Sequence, residues 1–250
     1  MSDISIDELT ASGAPFRVGV ALSKTFSIFS SRLGSFLLLA LIPLIPVLVL
    51  TLLLLSGAQK GSLGPGAGAV GALSGFLTFV LQIVAQATAL YGAFQQMGGR
   101  PFSIGDSLSA GLQRSLPVIG VALLSGLGMV LAALLFVIPG IIVACMLYVA
   151  VPVCVIEKAG VFESLNRSAV LTKEYRWQIF GLLALVTIVA FIGGFVVTLL
   201  GGVVLWARLL SFGWQVAMTA FGAVLAAVVY HDLRVAKEGV EVGDLANVFD

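Results

Sequence analysis

Residues 33 to 56 read LGSFLLLALIPLIPVLVLTLLLLS, twenty-four positions without one charged side chain. A helix crosses the hydrocarbon of a bilayer with about 20 apolar residues, and a run this long that is apolar all round has no use for water. Pro43 and Pro46 interrupt it only as helix kinks, since each removes a backbone donor and crowds the preceding turn.

The rest of the chain repeats that signal. Of 250 residues 60% are hydrophobic and 10% charged, with a mean hydropathy of +1.14, far from the roughly 25% charged composition of soluble domains. Five further segments are long and apolar enough to span or nearly span, at about 69 to 96, 116 to 138, 141 to 156, 179 to 205 and 209 to 231. None of the six contains Asp, Glu, Lys or Arg. The fold class is therefore an all-α, polytopic membrane bundle of six transmembrane helices. The fourth segment is short, follows Pro139-Gly140 and contains Pro152. A turn at Pro139-Gly140 would join spans three and four in a tight hairpin whose second arm crosses almost without tilt.

Orientation follows from the basic residues of the connections. With the N-terminus inside, eleven of the 13 Lys and Arg lie on the inner side, and only Lys60 and Arg208 on the outer. Both termini are thus expected in the cytoplasm. All 12 acidic residues fall on that side too. Asp3, Asp7 and Glu8 precede the first apolar run, unlike the short basic start of a cleavable signal, so the first span is expected to stay in the mature protein. The organisation reads as one membrane domain over residues 1–250: a polar tail at 1–15, the bundle at 16–231 and a cytoplasmic tail at 232–250.

Three segments on the inner side precede span pairs in a similar way. FRVGVALSKTFSIFSSRLG, FSIGDSLSAGLQRSLPVIG and VFESLNRSAVLTKEYRWQIFG each carry a small residue, Leu, then Ser or Asn: Ala21-Leu22-Ser23, Ser107-Leu108-Ser109 and Ser164-Leu165-Asn166. They read as three copies of one unit, an amphipathic interfacial helix followed by a helical hairpin; chance similarity in apolar sequence is the competing reading. Helical spacing places Val18, Leu22, Phe26 and Phe29 on the apolar face of the first copy, against Arg17, Lys24 and Ser31. Ile104, Leu108 and Leu112 align in the second, with Ser103 and Asp106 placed for a capping box. In the third, Phe162, Leu165, Ala169 and Thr172 form the apolar face. Glu163 and Arg167 there are spaced for an i,i+4 pair on a solvated face. Residues expected to meet lipid headgroups or partners are Arg17, Lys24, Arg114, Arg167, Lys173 and Arg176.

Signs of other chemistry are weak. Gly66 to Gly71 spells GxGxxG, but no strand precedes it and no acidic residue follows about twenty positions on, so it reads as a flexible loop. His231 reads as a helix-end histidine favoured by the dipole, and one His is too few for a multi-His metal centre. Cys145 and Cys154 fit buried thiols. No metal or other cofactor is expected, and the balanced charge, net +1, gives no nucleic-acid signal. The second span carries a polar stripe, Gly71, Gly75, Thr78, Gln82 and Gln86, read as interhelical glue with close approach at Gly71-xxx-Gly75, or else as the lining of a substrate path.

Pro139-Gly140-Ile141, Pro152-Val153, Glu157, Ser164 to Ser168, Leu171-Thr172-Lys173, Trp177, Phe180-Gly181, Tyr230, Leu233-Arg234 and Lys237 to Val240 together resemble the membrane domain of glycerophosphoryl diester phosphodiesterases and of related bacterial inner-membrane proteins. The resemblance covers roughly residues 100 to 250; the first hundred match in general character. It implies a multi-helix module of the bacterial inner membrane. In those enzymes the chemistry belongs to a separate barrel that supplies His and carboxylates. This chain has one His and devotes its length to membrane helices, so the activity does not carry over. The expected function is non-enzymatic: a protein that organises lipid or membrane-protein assemblies through its interfacial helices, with membrane lipids and other inner-membrane proteins as partners. The alternative is a small-molecule or lipid transporter.

Overall fold

The computed structural model describes residues 16–59, 67–99, 102–201 and 205–239. Every regular element among them is helical. A short helix, α1 (Val18–Ser31), is followed by the hairpin α2 (Leu33–Gln59) and α3 (Ala67–Met97). The pattern returns in α4 (Ile104–Gln113) with α5 (Ser115–Leu135) and a broken arm, α6 (Val137–Leu147) and α7 (Ala150–Ile156). It returns again in α8 (Val161–Thr172), α9 (Arg176–Gly201) and α10 (Leu205–Glu238). Six stretches are long and apolar enough to cross a membrane: Leu33–Leu54, Gly68–Met97, Ser115–Leu135, Val137–Ile156, Arg176–Leu199 and Arg208–Glu238. They coincide with the six spans expected from sequence.

Helices α3 and α10 form the centre. α3 packs on α2, α4, α5 and α10, while α10 also meets α1, α2 and α9. The large buried side chains, among them Phe36, Leu39, Leu90, Ile156, Leu171 and Tyr230, belong to the half of the bundle that α1, α4 and α8 cover. At the opposite end Leu134 to Ile138 point outward, as suits surface in contact with lipid tails.

Two breaks in the backbone ladder explain how α4 and α8 attach. Pro43 has no N–H for the carbonyl of Leu39, one turn before it. The Thr88 hydroxyl on α3 donates to that carbonyl at 3.0 Å, and Gly111 of α4 lies so close to Thr88 that a Cβ there would come within 2.3 Å of its methyl. α2 runs as one helix through both prolines. In the fourth span the ladder opens between α6 and α7, and the Met146 carbonyl accepts from Ser168 (2.8 Å) and Thr172 (3.2 Å) of α8. Inside a bilayer such freed groups need protein partners, and Ser and Thr supply them.

The three short helices share a buried register. Ala21, Ser107 and Ser164, the small residues of the three matched triplets, are all fully buried, and so are Thr25, Gly111 and Ser168 four positions on. Small residues one turn apart let helices approach closely. The apolar faces read from sequence are divided by this register: Phe26, Leu112 and Phe162 are exposed, while Val18, Leu22, Phe29, Ile104 and Leu165 pack against the core. Lipid tails are as apolar as any core, so hydrophobicity does not drive a membrane helix inward; close contact and hydrogen bonding do.

Other expectations are corrected too. The hairpin turns at Phe136, in extended conformation, and not at Pro139-Gly140. Pro139 sits in the first turn of α6, where its missing donor costs nothing. A Cβ at Gly140 would come within 2.7 Å of Ala133, so this glycine brings the hairpin arms together. No described residue comes within 4 Å of a Cβ placed at Gly71 or Gly75, so neither brings two described helices together. Of the GxGxxG run, Gly66 lies outside the described residues, and Gly68 and Gly71 lie in the opening turns of α3 and not in a loop. The last helix continues to Glu238, so 232–238 is helix and not tail; the tail at 1–15 and residues 240–250 lie outside the described residues.

Candidate functional site

Polar side chains gather in two places, one at the end of the bundle that carries α1, α4 and α8, the other halfway along the spans. The first is built where α7 ends. Lys158 takes a left-handed backbone (φ 54°), which stops α7 at Glu157 and turns the chain into α8. The Glu157 carboxylate accepts from the Tyr230 hydroxyl at 2.7 Å and from Arg167 at 3.3 Å. Arg167 also pairs with Glu238, and Glu238 takes Arg234 at 3.0 Å. Arg234 donates in turn to the Tyr230 oxygen at 3.3 Å. The ring of contacts ties α7, α8 and α10 together. Burial works against the Arg167 charge, but the carboxylates of Glu157 and Glu238 more than offset it and raise its pKa above the ordinary value.

Nearby, Lys24 of α1 pairs with Asp232 of α10 at 3.0 Å, and Lys237 of α10 donates to the Val170 carbonyl of α8 at 2.7 Å. The Gln95 side-chain carbonyl accepts from the Ser107 hydroxyl of α4 and the Ser103 N–H, while Gln96 donates to Ser31 of α1. Ser103 caps α4 by accepting from the Asp106 N–H, as the sequence pattern anticipates. Glu163 accepts from the Gly160 N–H at the start of α8, so the expected pair with Arg167 gives way to the two carboxylates brought by α7 and α10. His231 is not a helix-end residue, because roughly two turns of α10 follow it. Its Nδ1 lies 3.3 Å from Asp232, and its Nε2 is buried with no hydrogen-bond partner among the described residues.

The six expected headgroup residues thus divide. Lys24 and Arg167 are engaged inside the molecule. Arg17, just before α1, Arg114, between α4 and α5, Lys173, after α8, and Arg176, at the start of α9, form no ion pair among the described residues.

The second gathering lies between α3, α9 and α10. Gln82 donates to the Thr219 hydroxyl, and Gln215 donates to the Gln82 carbonyl at 3.1 Å. These bonds join the two central helices, as the glue reading of Gln82 requires. Thr78 bonds back to Ser74 on its own helix at 2.8 Å and joins nothing. Gln86 lines an open groove of about 330 Å³ together with Gln82, Gln215, Thr219, Trp214 and Gly222, and makes no hydrogen bond to another described residue. The stripe on the second span is therefore split into one amide that fastens helices and one that faces open space.

Gln215 and Thr219 were not singled out from sequence, and Glu157, Tyr230, Arg234 and Glu238 entered only among the residues that carry the family resemblance, not as a site. A signal existed for some: Gln215 and Thr219 are an i,i+4 polar pair on an apolar helix, and Arg234 and Glu238 have the same spacing. Glu157 offered none, since its partners come from helices distant in sequence. Compared with known proteins, the chain matches no family model, no curated protein and no solved structure at a significant level.

Proposed function

We propose that this integral membrane protein is a non-enzymatic organiser of a bacterial inner membrane, with both termini in the cytoplasm, which gathers lipids and through them other membrane proteins. One observation carries the reading. The helices α1, α4 and α8 turn their small residues inward and Phe26, Leu112 and Phe162 outward, and Arg17, Arg114, Lys173 and Arg176, at or near the ends of these helices, form no ion pair among the described residues. A rigid collar with apolar side chains to enter the headgroup boundary and Arg17, Arg114, Lys173 and Arg176 to meet phosphates suits an anionic leaflet, at about 1 kcal/mol per basic residue near the surface. The resemblance to phosphodiesterase membrane domains fits such a module.

Reconstitution into nanodiscs with spin-labelled phosphatidylglycerol or phosphatidylcholine tests it. The parent protein is expected to hold the anionic lipid preferentially, and a variant with Arg17, Arg114, Lys173 and Arg176 changed to Gln is expected to lose the preference. Equal association of both lipids with the parent would reject the collar. Sidedness is checked by engineered cysteines, which should label from outside near Lys60 and from inside near Arg114 and Lys173.

A further inference from the structure

The midplane groove has properties that neither packing nor the headgroup collar accounts for. Gln82 stands at the middle of the Gly68–Met97 span, and Thr219 lies deep in Arg208–Glu238. A primary amide there is surrounded by hydrocarbon and needs two donors and an acceptor satisfied. Gln82 meets most of that need, one N–H going to Thr219 and its carbonyl accepting from Gln215. Gln86, one turn further along α3, borders the same groove with no partner among the described residues. Its neighbour across the space is Gly222, whose absent side chain leaves nothing within 4 Å.

A second, larger groove of about 480 Å³ adjoins the first, and both share Ala190 and Trp214 as a wall. Its lining is mostly apolar, with Phe191, Phe195 and Val197 from α9. Trp214 is laid against α9 by its indole N–H, which donates to the Ala190 carbonyl at 3.3 Å. Gly193 permits the fit, since a Cβ there would come within 2.1 Å of the indole ring. The ring therefore offers its apolar surface to both grooves.

We infer that these paired grooves are a binding site for an uncharged amphiphile, whose hydroxyl or carbonyl head hydrogen-bonds Gln86 beside the Gln82–Gln215–Thr219 network and whose hydrocarbon tail lies along α9. The depth selects the class. A phospholipid keeps its ionic head at the interface, on the order of 15 Å from the midplane, because charge in hydrocarbon is costly. Acylglycerols and long-chain alcohols have no such charge, and a hydroxyl reaches the centre at the smaller cost of an uncharged polar group, which a hydrogen bond to Gln86 offsets. The combined space is of the size that small-molecule sites occupy.

The test uses the whole protein in phosphatidylcholine nanodiscs with a dioleoylglycerol analogue bearing a diazirine in one acyl chain, followed by mapping of the crosslinked peptides. Labelling is expected on α9 and α10 around Phe191, Phe195 and Trp214. It should be displaced by excess unlabelled dioleoylglycerol. Gln86→Leu, which breaks no protein hydrogen bond, should lower labelling roughly threefold to tenfold, the worth of one hydrogen bond in a membrane. Gly222→Leu fills the recess without touching an amide and should lower it comparably, while Thr78→Val on the same helix should leave it unchanged. Equal labelling here by a diazirine phosphatidylglycerol would overturn the site, as would indifference to both Gln86→Leu and Gly222→Leu. Capture of a second protein chain by a photoreactive residue at position 86 would assign the recess to a partner helix and overturn it too. The site does not depend on the collar: a protein that showed no preference for anionic lipid would still be expected to take the acylglycerol probe.

Discussion

The cluster around Glu157 and the cluster around Gln82 use polar groups in opposite ways. In the first, Glu157, Arg167, Tyr230, Arg234 and Glu238 each have two or more partners, supplied by α7, α8 and α10. In the second, Gln82, Gln215 and Thr219 are bonded across α3 and α10, but Gln86 faces an open groove. A closed network fixes the geometry of what it joins; an open one leaves hydrogen-bonding capacity for something that is not part of the chain. Polarity within a membrane protein is thus no guide to function until its partners have been counted. The basic residues divide in the same way, since Lys24 and Arg167 are paired internally whereas Arg17, Arg114, Lys173 and Arg176 form no ion pair among the described residues.

The contrast can be broken most forcefully at Arg167. Arg167→Ala leaves Glu157 and Glu238 facing one another with their shared cation gone, and should cost about 3 kcal/mol, at the lower end for a broken buried pair because the side chain is about a third exposed. Unfolding in detergent measures it, and Arg167→Lys should recover only part, since one ammonium cannot serve two carboxylates as a planar fork does. A loss below about 1 kcal/mol would mean that the network is a surface feature.

Gly111→Val comes next. Its side chain would drive into Thr88 and separate α4 from α3, with an expected cost of about 1–3 kcal/mol from overpacking. Thr88→Val probes the same joint chemically by withdrawing the hydroxyl from the Leu39 carbonyl that Pro43 leaves free, at about 1 kcal/mol. Thr88→Ser should be close to the parent, and a silent Thr88→Val would show that the carbonyl finds another donor.

The smallest effects sharpen the comparison within one helix. Gln82→Leu loses bonds to Thr219 and Gln215 and should destabilise by about 0.6–1.7 kcal/mol, the range measured for hydrogen bonds between membrane helices. Gln86→Leu loses none and removes an unpaired amide from hydrocarbon, so stability should stay level or rise slightly. Equal losses for the two substitutions would show that both amides are glue and that the groove is incidental to them.

Much of this architecture was legible in the amino-acid sequence because it depends on sums over long segments. Six runs such as residues 33 to 56 dictate six helices, since hydrocarbon offers the backbone no other partner. The triplets at Ala21, Ser107 and Ser164 already marked the register on which all three short helices bury themselves. That Phe26, Leu112 and Phe162 stay exposed while Val18, Leu22 and Phe29 pack inward was not legible in the stripe, because an apolar stripe predicts burial in protein only where the alternative is water. Tertiary structure alone decided the rest: that Glu157 would meet Tyr230 and Arg167, that the Leu39 and Met146 carbonyls would find Thr88, Ser168 and Thr172, and that of two glutamines one turn apart Gln82 is bonded and Gln86 open. Those are pairings between helices far apart in sequence, fixed by how closely small residues let the helices approach, and periodicity within a single helix carries no record of them.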